Sequence, residues 1–193
     1  MAGRSFGVRI ALAMAALLFA AASAVAGIDV AIDLDKSFDF ASAKTWAWTP
    51  DGPGEVKMAR TADDDPEAMR VRVEPVIVDA VTAELSRHGL QATTSSPDVL
   101  VTYYLLLTNT VSSQQLGQFL PATPQWGVPP FPAATQSLEI MNQGSLVLDV
   151  SANGRVVWRG VAKAKVTMDI DEKRRQALIR EAVRDLLRRY PRD

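Results

Sequence analysis

Cysteine is absent from the 193 residues, and histidine occurs once, at His88. Without cysteine the chain has no disulfide framework, no thiolate metal site, no cysteine nucleophile and no thiol to carry a lipid. A single histidine leaves catalytic triads and most zinc sites without the partners they need. Its place in the last turn of an expected helix has a simpler explanation, since the free carbonyl ends there attract it. An excess of charge is lacking too, with 21 basic side chains against 22 acidic ones. Nucleic-acid binders need basic charge gathered on one face, so that class is not expected.

What is present begins with an export signal. Arg4 and Arg9 form a positive n-region, Ile10 to Ala22 is an unbroken apolar and small run, and Ala24-Val25-Ala26 offers the small-x-small pattern of a cleavage site. Cleavage after Ala26 is the expectation. An uncleaved anchor is the alternative, but the run is short of the roughly 20 residues that a span takes. No later run is longer. Removing Arg4 and Arg9 leaves 19 bases against 22 acids, a net charge of −3 from Gly27 onward. Residues 27–193 suffice for one domain with a sizeable core. The expected product is a periplasmic or secreted soluble protein without a lipid.

Ile28 to Asp35 alternates Ile28, Val30, Ile32 and Leu34 with Asp29, Ala31, Asp33 and Asp35, the period of a half-buried strand. A second short strand is expected at Lys44 to Trp48, with Trp46 and Trp48 on one face, stopped by Pro50 to Gly54. The acidic stretch up to Asp63-Asp64-Asp65 reads as a solvated loop. Asp65-Pro66-Glu67 starts a helix, and Val73, Ile77, Ala80, Val81 and Leu85 continue it to His88-Gly89. Pro75 should kink this helix or move its start to about Arg72. Asp98 to Thr108 reads as a central strand covered on both faces. Residues 112–135, rich in proline and glutamine, form a long loop or a hairpin tip.

Strands follow at Gln136 to Met141, Gly144 to Ser151 and Arg155 to Met168. Asn153-Gly154 is a hairpin turn between the last two. In the returning strand Val156, Trp158, Ala162, Ala164 and Val166 share one face with Gly160, while Arg159, Lys163 and Lys165 lie on the other. Gly160 is expected where a helix or neighbouring side chain approaches the sheet closely. Asp169 or Asp171 caps a last helix whose apolar stripe runs from Leu178 to Tyr190. The fold class is α+β: a two-layer sandwich of five to six largely antiparallel strands with two helices on one face, in the order β-β-α-β-β-β-β-α.

Several landmarks fall in a recognisable order: Lys44-Thr45-Trp46-Ala47-Trp48, a helix ending in Leu85 and Gly89-Leu90, and Pro97-Asp98-Val99-Leu100-Val101 with Tyr103. Gly144 to Asp149, Val157-Trp158-Arg159-Gly160 and a last helix ending in Tyr190-Pro191 complete the set. In these the chain resembles the exported bacterial proteins grouped as domain of unknown function 4136, many of them lipoproteins. The resemblance implies an envelope location in a Gram-negative-type cell and brings no activity with it. Lipidated relatives carry a cysteine at the processing site, where this chain has Gly27, so a lipid anchor is not expected.

The chemistry-bearing residues have plain alternatives. Asp29, Asp33 and Asp35, or Asp63 to Asp65, lack the ligand alternation and central glycine of a calcium loop and read as wet surfaces. No cofactor or metal is expected. The final helix is basic, with eight bases against five acids from Asp171 onward, which suits a solvated face more than a lipid-headgroup contact. Phe119, Trp126 and Phe131 in the 112–135 loop are the candidate contacts with an envelope protein or membrane surface, because exposed aromatics call for a partner. The favoured function is therefore a non-enzymatic binding or assembly module using its sheet edge or this loop. The alternative is a carrier of a small apolar ligand held between sheet and helices, with Trp46, Trp48 and Trp158 near its mouth. A hydrolase working with carboxylates alone ranks third.

Overall fold

A computed structural model describes residues 27–58, 65–107, 144–164 and 170–191. At the centre is the longest apolar run of the sequence after the leader, β5 (Val99–Leu107), in which all residues but Leu100 and Thr102 are buried. It pairs antiparallel with β6 (Gly144–Ala152), which returns through a tight turn to β7 (Arg155–Ala164). Asn153 and Gly154 both take positive φ, 52° and 75°, as a type I′ turn demands. β1 (Asp29–Leu34) adds antiparallel to the far side of β7 and forms one edge of the sheet.

On the other side of β5 the chain runs parallel. β2 (Thr45–Trp48) lies along the first half of β5 and β3 (Gly54–Met58) along the second half. Between them the chain loops out, closed by the Gly52 N–H donating to the Thr49 carbonyl at 3.0 Å. The stretch after Trp48, read above as a stop and a solvated loop, is thus a brief excursion from a strand that resumes. A two-residue strand, β4 (Gln91–Ala92), covers the outer side of β2. Among the described residues the sheet therefore has seven strands. β4 is too short to show a period in the sequence, whereas β3 alternates Val56 and Met58 with Glu55 and Lys57, a signal passed over because the stretch read as a loop.

Helix α1 (Pro66–Arg87) is capped by the Asp65 carboxylate, which accepts from the Glu67 and Ala68 N–H groups. It runs unbroken through Pro75, so the expected later start does not occur. Pro75 and the exposed Val71, whose carbonyl loses its usual donor, lie on the solvent side, so the lost bond leaves no buried carbonyl. His88 is the C-cap, and Gly89 at φ 82° lets Gly89 and Leu90 donate back to the Ser86 and Leu85 carbonyls. Helix α2 (Glu172–Leu187) takes Asp171 as its cap.

Both helices lie on one face. Tyr103, Leu148 and Gly160 are cross-strand neighbours on that face. The Tyr103 hydroxyl donates to Glu74 of α1, and a Cβ on Gly160 would meet Leu186 of α2 at 2.8 Å. Trp46, Trp158, Ile77, Leu85 and Leu186 fill the layer between, each at most 2% exposed. The opposite face is also buried, with Leu106, Val147 and Val161 around a cross-strand pair, Asp149 and Arg159.

Candidate functional site

The outer strands of the sheet are β1 on one side and β3 and the two-residue β4 on the other, and β1 and β3 differ in what they offer. In β1 the Asp35 N–H donates inward to the Val157 carbonyl at 2.8 Å, so by alternation the backbone groups of Val30, Ile32 and Leu34 point outward. One of these is already used, since Arg189 beyond α2 donates through Nη1 to the Val30 carbonyl at 2.7 Å. A side chain thus covers part of this edge.

In β3 the Pro53 carbonyl accepts inward from the Tyr103 N–H at 2.9 Å. Gly54, Val56 and Met58 therefore turn their backbone donors and acceptors outward, and no described strand pairs with them. The edge opens on a cleft of about 630 Å³ between β3, the 51–53 turn and the first turns of α1. This is the volume range of small-ligand sites, about 300–1,000 Å³.

The sequence builds the cleft in three steps. Gly54 has no Cβ because Tyr103 fills that space; an added Cβ would lie 2.5 Å from the Tyr103 ring. Tyr103 is fully buried and donates to Glu74 Oε2 at 2.8 Å, with burial the first cause holding its hydroxyl well above the usual range. Glu74 Oε1 in turn accepts from Arg70 Nη1 at 2.7 Å, and the same guanidinium donates to both oxygens of Glu67 at 2.6 and 2.8 Å. That hydrogen bonding holds the Glu67 carboxyl below its ordinary value. On the strand side Lys57 pairs with Glu55 at 2.5 Å, and Asp51 rims the turn.

The tryptophans are distributed differently. Trp46 and Trp158 are buried at 2% and 0% exposure, Trp46 against Trp48 with ring centroids 5.2 Å apart and Trp158 against Tyr190 at 5.6 Å. None of the three lines the β3 cleft. The apolar crevice on the helix side lies elsewhere, at the ends of β5, β6 and β7 under α1 and α2. It measures about 70 Å³, and Leu105, Leu146, Ala162 and Ile179 line it with Arg175 among them. No tryptophan reaches it. Phe119, Trp126 and Phe131, with the strand expected at Gln136 to Met141 and the leader up to Ala26, lie outside the described residues.

His88 stacks edge-on against Tyr190 at 5.9 Å, in the helix-end position expected of it. Asp29 and Asp33 are exposed on β1. Among the described residues no three His, Cys, Asp or Glu side chains are gathered to hold a metal ion, and no helix is long and apolar enough to cross a membrane. The Glu67–Arg70–Glu74 cluster was missed, although its spacing of three and four residues along a helix is a readable signal; its link to Tyr103 joins residues 29 apart in sequence and carries no such signal.

No curated protein matches the chain. Among solved structures it is similar to a DUF4136 family protein from Bacteroides thetaiotaomicron VPI-5482, with a TM-score of 0.51, 16% identity, and coverage of 85% of this chain and 96% of that one. A PDZ domain protein from Parabacteroides distasonis ATCC 8503 gives a TM-score of 0.51 at 15% identity, over 86% of this chain and 36% of that one. The PelC dodecamer from Paraburkholderia phytofirmans gives 0.40 at 7% identity, over 83% of this chain and 95% of that one. At these identities the likeness to the first two is one of fold alone. Residues 30–192 match the family described as Domain of unknown function (DUF4136), and the chain belongs to that family.

Proposed function

We propose that this protein is a non-enzymatic binding or assembly module of the cell envelope that takes its partner by strand addition at the outer edge of β3. The observation that carries the reading is the unpaired, outward-facing backbone of Gly54, Val56 and Met58 opening on the 630 Å³ cleft. Backbone groups left unpaired at a strand edge are a template for an extended segment of another chain. The β1 edge is the poorer template, because Arg189 already occupies its Val30 carbonyl. The leader pattern of residues 1–26 supports the envelope location.

Val56→Pro tests this reading. The Val56 N–H points away from β5, so proline there removes an outward donor and blocks the edge while the ladder to β5 keeps its bonds. Crosslinking in the envelope fraction, read by mass spectrometry, should recover partners with the native chain and lose them with Val56→Pro. An unchanged partner set with a folded variant would count against strand addition at β3.

A further inference from the structure

Resting on the strand-addition reading, we infer that the segment received at β3 is basic, an extended stretch of another protein with lysine or arginine at alternate positions. The cleft is lined by five acids, Asp51, Glu55, Asp65, Glu67 and Glu74, against two bases, Lys57 and Arg70, a net charge of −3. Its internal pairings do not relieve that charge. Lys57 neutralises Glu55, and Arg70 is shared between Glu67 and Glu74, leaving one negative charge there. Asp51 and Asp65 add one each, and among the described residues the Asp65 carboxylate accepts only from neutral N–H groups of α1.

The geometry sets where the positive charges must sit. Side chains of an added strand alternate between the two faces of the sheet. Those on the helix side approach Glu67 and Glu74 on α1, whereas Glu55 points to the opposite face of β3. Basic residues two apart therefore meet the α1 carboxylates while the intervening ones lie past Glu55. A second copy of the chain fits poorly, since its own β3 carries one acid and one base, Glu55 and Lys57, and its rim repeats the negative charge of the first. Like-charged rims brought together cost binding energy.

Selection from a randomised library of peptides about eight residues long, the length of an ordinary strand, tests the inference on the full chain expressed with its own leader. The expected binders alternate Lys or Arg with β-branched residues. Their affinity should fall about tenfold or more, some 1.4 kcal/mol, with Val56→Pro or with N-methylation of every second peptide nitrogen. It should weaken with added salt and with Asp51→Asn. Binders that respond to N-methylation but carry no basic bias would overturn the charge inference and leave strand addition standing. No enrichment, or binders indifferent to both N-methylation and Val56→Pro, would overturn strand addition itself.

Discussion

Tyr190 stands where Phe40, His88 and Trp158 meet edge-on, with ring centroids 5.5 to 5.9 Å away, and it is 4% exposed. Its hydroxyl is buried without a partner among the described residues, and burial pushes its pKa up to about 12. An unpaired buried hydroxyl carries the cost of its lost water, so Tyr190→Phe should stabilise the protein by about 1 kcal/mol. Urea denaturation would show it as a higher midpoint at unchanged slope. Asp98 is the opposite case. It accepts from the Lys44 N–H and from the Thr45 hydroxyl and N–H, at 2.8 to 2.9 Å, and these bonds hold its pKa below 3.8. Its contribution is complete above pH 3.8 and is lost as pH falls through the lowered value. Asp98→Asn should therefore flatten the acid limb of the stability curve, measured as urea midpoints from about pH 5 to pH 2. The motif Pro97-Asp98 was visible in the sequence, but its partners at Lys44 and Thr45 lie more than fifty residues earlier and were not.

Elements with strong local chemistry were legible. Asp65 and Asp171 cap their helices, Gly89 ends the first, and Asn153-Gly154 turns the hairpin, each because a side chain or a positive φ leaves few alternatives. Elements made by their neighbours were not. Gln91–Ala92 is a strand because β2 lies beside it, and Gly54–Met58 carries a short alternation that its pairing with β5 makes a strand. Gly160 joins the two kinds of case. Its role as a point of close approach was readable, and the approaching groups are Leu186 of α2 and the ring of Trp158, 2.8 and 2.5 Å from where a Cβ would sit. Gly160→Ala should force those side chains apart and cost about 1–3 kcal/mol, again read from denaturation midpoints. An unchanged midpoint would mean that α2 shifts over β7 without strain.

At the scale of the whole molecule, the face of β7 that carries Arg159, placed opposite Trp158 in the sequence reading, is buried together with the same face of β6. Arg159 and Asp149 are 3% and 1% exposed and joined by bonds of 2.5 and 2.6 Å. Burial raises the Asp149 carboxyl, which the guanidinium opposes. A charge opposite a charge across a readable hairpin was the available signal, but burial of a face cannot be read from its own strand. The candidate site was harder still, because an open edge is defined by which strands are not beside it. The pairing of β1 with β7 has another consequence, for how the sheet is assembled. Val30 sits opposite Ala162, almost the full length of the described chain away, while β6 and β7 are joined by two residues. Such a loop carries a large closure entropy and delays the contact. A chain made from its N-terminus therefore completes β1 long before β7 exists, and Val30, Ile32 and Leu34 stay without their partner strand until β7 has been made.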